Sequence, residues 1–119
     1  MPRFTIAKRF TFSASHILEG LPEGHQCGRL HGHNYGVRVI LESETLDELG
    51  FVIDFGDLAD FKRYLDGNLD HRHLNDVLSF NPTCESLAFH LYGVAKKMLP
   101  QVVAVEVSET EATWARYSE

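Results

Sequence analysis

The sequence predicts an α+β fold in which two long strands, two helices and two further strands follow one another along 119 residues. Three observations predict it. Apolar residues alternate over 3–16 and 33–43, the spacing changes to three and four residues over 57–67 and 81–98, and short strand-like runs return over 102–107 and 113–117. Helices gathered between pairs of strands favour a four-stranded antiparallel sheet with both helices on one face, in the order ββααββ.

The first strand is rich in Phe, Thr and Ile, and it sets Phe4, Ile6, Phe10 and Phe12 on one face. Gly20, Pro22, Gly24 and Gly28 mark residues 17–30 as a loop. The second strand carries Tyr35, Val37, Val39 and Leu41 on one face and Asn34, Arg38, Ile40 and Glu42 on the other. His31 and His33 fall on the odd register at its start, so the pattern predicts that they share a face. Leu58, Phe61, Leu65 and Leu69 predict a helix over 57–67, with Asp57 available to cap it. Residues 70–76 read as a polar loop. Asn81-Pro82 opens the second helix with proline in its first turn and Glu85 near the positive end of the dipole. Leu87, Leu91, Val94, Ala95 and Met98 form its buried stripe, and Pro100 stops it.

No repeat, low-complexity stretch or linker divides the chain, so residues 1–119 are expected to form one domain. An apolar fraction of 44% with 24% charged residues is that of a globular protein and excludes the disordered and fibrous classes. Eleven Lys and Arg residues against seventeen Asp and Glu leave a net charge of −6, without a basic cluster; neither nucleic acid nor an anionic membrane is an expected partner. No apolar run approaches the ~20 residues that span a bilayer, and Met1-Pro2-Arg3-Phe4 lacks the apolar stretch of a signal peptide. The cytoplasm is the expected location, and there Cys27 and Cys84 are expected to be reduced. A small protomer must protect its sheet edges, and association of copies edge to edge into a barrel would do so.

The chemistry is concentrated in Cys27-Gly28-Arg29-Leu30-His31-Gly32-His33. Side chains at i and i+2 of a strand project from one face about 7 Å apart, which lets one ion sit between His31 and His33. His16, near the end of the first strand, offers a third imidazole. Three neutral imidazoles leave the fourth position of zinc open, as catalytic sites do, and an all-imidazole set suits zinc better than calcium or magnesium. Copper, nickel and iron accept the same donors. Cys27 has two readings: a fourth ligand that closes the shell and makes it structural, or a catalytic thiol beside the metal. The second needs a group that exchanges protons with it, and Asp70-His71 supplies a carboxylate and an imidazole in triad logic. The alternative makes Asp70 and His71 surface residues at a helix end. His25, His73 and His90 are expected to be surface or hydrogen-bonded residues.

Taken together, Phe12-Ser13-Ala14-Ser15-His16, Cys27-x-x-x-His31-Gly32-His33-Asn34-Tyr35, Val52-Ile53-Asp54-Phe55, Leu69-Asp70-His71, Asn81-Pro82-Thr83 with Glu85, and Glu109-Thr110 resemble the 6-pyruvoyltetrahydropterin synthase superfamily. The resemblance runs from about Arg3 to Tyr117 with the motifs in the family's order. It is strongest to the bacterial branch that forms 6-carboxy-5,6,7,8-tetrahydropterin for queuosine and other deazapurines, which shares the three-residue gap between Cys27 and His31; the pyruvoyl-forming enzymes of animal type space these residues more widely. The resemblance implies the tunnelling fold, in which the sheets of several copies close into a barrel, and a homohexamer of two trimers with sites at subunit interfaces. It implies zinc on His16, His31 and His33, proton transfer by Cys27, Asp70 and His71, and a pterin held by Glu109 with Thr83 and Glu85. The implied substrate is 7,8-dihydroneopterin triphosphate and the implied products are 6-carboxytetrahydropterin, acetaldehyde and triphosphate. Triphosphate elimination without side-chain cleavage is the alternative reaction, and a zinc-stabilised pterin-binding module without catalysis is the alternative of another class. Cys84 stands where the family usually carries Ser or Thr. An acidic chain that accepts a triphosphate needs a local positive cluster, from one copy or from several, for which Lys8, Arg9, Arg29 and Arg38 are candidates.

Overall fold

Two thirteen-residue strands, β1 (Phe4–His16) and β2 (His31–Ser43), pair antiparallel along their whole length and form the spine of the computed structural model, which describes residues 2–119. At about 3.4 Å per residue such a hairpin is ~44 Å long, which accounts for most of the 55 Å long axis. β4 (Val102–Thr110) pairs with β2, and β5 (Thr113–Ser118) pairs with β4, both antiparallel. Between β2 and β4 lie a 3-10 turn at Phe55–Leu58, α1 (Ala59–Asn68), β3 (Arg72–His73), the one-turn α2 (Leu74–Val77) and α3 (Cys84–Met98).

The sheet therefore has five strands, in the order β3-β1-β2-β4-β5, and is mixed: β3 runs parallel to β1 at Ala14 and Ser15. This corrects the expected four antiparallel strands. A two-residue strand is too short to show periodicity. It is held by tertiary bonds, with His71 N–H donating to the Ser13 carbonyl at 2.6 Å and Ser13 N–H donating to Asp70 Oδ1 at 2.8 Å. The polar loop expected over 70–76 is thus ordered as β3 followed by α2.

The pairing register places Phe10 opposite Val37, Phe12 opposite Tyr35 and His16 opposite His31. The even positions of β1 and the odd positions of β2 share the face covered by helices, where Phe61, Leu65 and Leu69 of the α1 segment and Leu87, Leu91 and Ala95 of α3 are buried against them. Phe10 meets Phe61 edge to face at 5.3 Å and Phe12 stacks on Tyr35 at 4.8 Å, contacts worth about 0.5–1.5 kcal/mol each beyond their buried area.

Three local expectations are revised. Asp54, not Asp57, caps the turn before α1, accepting from Gly56 N–H at 2.8 Å. Pro82 precedes the cap of α3 instead of entering its first turn; Thr83 is the cap, its hydroxyl accepting from Ser86 N–H at 3.1 Å. The buried stripe of α3 turns toward Ala88 and Tyr92, leaving Met98 exposed, because β5 packs along that side and Tyr117 meets Tyr92. No helix among the described residues is long and apolar enough to cross a membrane.

Candidate metal centre and adjoining pocket

At the end of the β1–β2 hairpin the register brings three imidazoles together on the helix-covered face. His16 and His31 are direct cross-strand partners, and His33 lies one alternation along, opposite the small Ala14. One ligand atom from each lies within 4.8 Å of the others, and the ring centroids are 4.5, 5.1 and 4.9 Å apart.

Hydrogen bonds determine which nitrogens are free. His16 Nδ1 is 2.9 Å from the Pro82 carbonyl and His31 Nδ1 is 2.6 Å from the Arg29 carbonyl. A carbonyl only accepts, so each Nδ1 carries its proton and each Nε2 presents a lone pair. Those two Nε2 atoms stand 2.9 Å apart. Facing lone pairs at that distance repel unless a proton or a cation lies between them. His33 Nε2 is buried and makes no hydrogen bond, although Glu109 Oε2 is 3.2 Å away. Burial holds the His16 and His33 imidazoles below their ordinary value, opposed at His16 by the Pro82 carbonyl and at His33 by Glu109. An orphaned nitrogen at His33 and the opposed lone pairs of His16 and His31 form a donor set that fits zinc. The Tyr35 hydroxyl, 3.1 Å from His16 Nδ1, is a further orienting contact.

Cys27 is not among the clustered donors. It sits half-buried in the short 3-10 turn Gln26–Gly28, its N–H donating to His25 Nδ1 at 3.1 Å and its carbonyl accepting from Leu18 N–H at 3.1 Å. His25 caps that turn, His73 contacts Ser15 Oγ at 2.9 Å, and His90 contacts the Tyr64 hydroxyl at 2.7 Å; all three are hydrogen-bonded residues, as expected.

Glu109 joins the metal centre to a pocket. The core-facing Val105 and Val107 of β4 set the alternation that carries Glu109 to the same face, so β4 runs past the expected end at Val107. Its carboxylate, with Cys84, Glu85, Thr113, Trp114 and Ala115, lines a cavity of about 250 Å³. Cys84 Sγ–H donates to Glu109 Oε1 at 3.4 Å, and burial first, then Glu109, pushes that thiol up to about 12. Cys84 therefore stands beside Glu109 as a protonated donor. Thr83 is not in the lining, since its hydroxyl is spent on the helix cap. Trp114 was not anticipated; the chain's single tryptophan, half-exposed on the last strand, was the available signal.

Asp70 and His71 are paired, with His71 Nδ1 2.9 Å from Asp70 Oδ2. The Ser13 amide, then His71, holds the Asp70 carboxyl below its ordinary value. His71 has a left-handed backbone, φ 57°, and its side chain is 83% exposed, lining a groove with Ser13, Ser15, Asn34, Arg72 and His73. Cys27 does not line that groove, so one chain does not bring it together with Asp70–His71 in a single cavity.

Within one chain the four basic residues named above stand apart from the groove and the pocket. Arg38 is paired with Glu106 at 3.1 Å, Lys8 lies 5.5 Å over the Phe10 ring, and Arg9 reaches across β2 beside Gly36, where a β-carbon would stand 2.8 Å from its Nη2. Neither they nor Arg29 line the groove or the pocket.

A family model described as 6-pyruvoyl tetrahydropterin synthase matches residues 5–119. The chain is 39% identical to a 6-carboxy-5,6,7,8-tetrahydropterin synthase of Synechocystis, over 94% of this chain and 91% of that one. It is 36% identical to a dihydroneopterin monophosphate aldolase of Pyrococcus furiosus, over 80% of this chain and 77% of that one. Among solved structures, the 6-pyruvoyl tetrahydropterin synthase of Caenorhabditis elegans superposes with a TM-score of 0.87 at 26% identity, covering 100% of this chain and 97% of that chain.

Proposed function

Because the chain belongs to the 6-pyruvoyl tetrahydropterin synthase family, we infer that it is a zinc-dependent lyase. It converts 7,8-dihydroneopterin triphosphate and water to 6-carboxy-5,6,7,8-tetrahydropterin, acetaldehyde and triphosphate. The observation that carries this reading is the contact between His33 and Glu109: a carboxylate 3.2 Å from a metal-ligating imidazole also lines the pocket that would hold the ring. The Synechocystis relative and the three-residue gap between Cys27 and His31 favour the carboxy-forming reaction. One domain, residues 1–119, does this work in the cytoplasm, as part of a homohexamer built as two trimers.

Each residue has a chemical reason. Glu109 accepts from the adjacent amino and ring N–H groups of a pterin, which a carboxylate satisfies with two oxygens. Trp114 offers a flat face beside it, and the first turn of α3 at Cys84 and Glu85 supplies free backbone N–H groups. Thr83 acts by fixing where that turn begins. Zinc on His16, His31 and His33 would supply Lewis acidity toward the substrate's side-chain hydroxyls. Cys27 is the proton-transfer thiol. Asp70 accepts from His71 Nδ1–H, which leaves His71 Nε2 to exchange protons with Cys27. Cys27 does not share the groove of its own chain's His71, which supports a His71 from a neighbouring copy serving each Cys27 at a subunit interface.

The test is Cys27→Ala. Bound zinc, counted per chain, is expected to be unchanged while turnover is lost. A variant that loses its metal and unfolds would instead make Cys27 a structural ligand of a closed shell.

A further inference from the structure

The groove that holds His71 has a feature at odds with the rest of the chain. Its volume is about 490 Å³, and no carboxylate lines it, although acidic residues outnumber basic ones by seventeen to eleven. Several of the side chains that line it carry N–H groups with no acceptor of their own nearby. Asn34 Oδ1 accepts from Ser13 Oγ at 2.6 Å, leaving its amide hydrogens unused. His71 gives Nδ1–H to Asp70 and keeps a lone pair at Nε2, whereas His73, with its Nδ1 accepting from the Ser15 hydroxyl, presents Nε2–H to the groove. Arg72 gives one N–H to the Gly67 carbonyl at 2.8 Å and makes no ion pair among the described residues, so most of its guanidinium is unspent.

The frame around these donors is fixed before any ligand arrives. Ser13 holds the segment from both of its backbone groups, by its N–H to Asp70 and its carbonyl to His71 N–H, and β3 pairs with Ala14 and Ser15 of β1. Three consecutive nitrogen-bearing side chains, His71, Arg72 and His73, are thus set along one edge with Asn34 opposite. A run of donors around a guanidinium, in a concavity free of carboxylates, matches a linear chain of phosphates better than a single small anion, because successive phosphate oxygens can each find a partner.

We propose that this groove binds the triphosphate arm of the substrate, with Arg72 as the principal anchor and His73 and Asn34 as flanking donors. The proposal rests on the pterin reading given above and supplies a positive group within one chain, where Lys8, Arg9, Arg29 and Arg38 line neither the groove nor the pocket. Ser13 and Ser15 alternate with Ala14 and His16, so the groove opens on the sheet face away from the metal centre and meets it only at His33. In the assembly the groove of one copy therefore serves the ring pocket of a neighbour, together with the His71 it contributes.

Inorganic triphosphate is the probe, titrated calorimetrically into the full chain at fixed ionic strength beside orthophosphate and unphosphorylated neopterin. Triphosphate is expected to bind the native chain at least about tenfold more tightly than orthophosphate, and Arg72→Gln to weaken it by about tenfold. Asn34→Asp, which adds a carboxylate to the groove and leaves the Arg72 bond to Gly67 in place, is expected to weaken it comparably. Neopterin should bind both variants as it binds the native chain. Triphosphate affinity unchanged in both variants overturns the proposal. Failure of the pterin reading looks different: neopterin does not bind the native chain, while triphosphate binds and the variants abolish it. That result would leave a polyphosphate site but overturn its assignment to a pterin substrate.

Discussion

Tyr35 brings a phenol hydroxyl into the interior, 3.1 Å from the His16 nitrogen that also faces the Pro82 carbonyl. Removing that hydroxyl leaves the ring stacked on Phe12 but loosens the orientation of a metal-ligating imidazole. Tyr35→Phe should therefore keep the fold and lower zinc affinity by about 10–100-fold, read by competition with a chromophoric chelator. Unchanged affinity would deny Tyr35 that role. The two thiols differ in a way that can be counted. With its thiol pushed up to about 12, Cys84 is only about 10⁻⁴ thiolate at pH 8, so a thiol reagent should label Cys27 in the native chain and Cys84 only after unfolding. The clustering of the histidines was legible because strand alternation puts His31 and His33 on one face, whatever else the chain does. Tyr35 falls on the apolar face of β2 in the alternation and is buried there. The carbonyls of Pro82 and Arg29 carried no signal, since a backbone group has no letter of its own.

Among the elements, α3 depends on one hydroxyl. Thr83→Ala removes the bond to Ser86 N–H and should cost about 1 kcal/mol, while Thr83→Ser should lose little; urea unfolding of the three proteins measures both. β3 depends on Asp70. Its carboxyl is held below its ordinary value of 3.8, so the stability it contributes is present above that value and is lost as pH falls through the lower folded one. The unfolding midpoints of the native chain and Asp70→Asn should therefore differ above about pH 4 and converge in stronger acid. Equal midpoints at neutral pH would show that Asp70 does not hold the edge. Long strands and helices were readable because ten or more residues display a period. β3 and α2 were not, being two and four residues long and held by contacts with Ser13 and Ile17 that lie 57 and 58 positions away in sequence. Arg72 was overlooked for the same reason: in a loop it is one more surface charge, and only the parallel pairing of β3 turns it into the wall of a groove.

At the scale of the whole molecule, the sheet ends in two edges. β3 covers β1 only at Ala14 and Ser15, so the outer edge of β1 from Phe4 to Ser13 has no strand partner among the described residues, and β5 is the opposite edge. Backbone groups along an edge of that length are a template for pairing. Joining β5 of one copy to β1 of the next would extend the sheet, and closure into a ring would remove every such edge. Native mass spectrometry should find hexamers, with trimers on mild dissociation; a monomer at micromolar concentration would contradict this. The direction of the open face was visible in the alternation of Thr5, Arg9, Thr11 and Ser13, whereas the seating of Asp70–His71 against Ser13 became clear only from the structure. The products of the reaction distinguish it from its alternatives. The zinc-loaded protein, incubated with 7,8-dihydroneopterin triphosphate, should release acetaldehyde in step with 6-carboxy-5,6,7,8-tetrahydropterin. Accumulation of a pyruvoyl pterin without acetaldehyde, or cleavage only of the corresponding monophosphate, would contradict it.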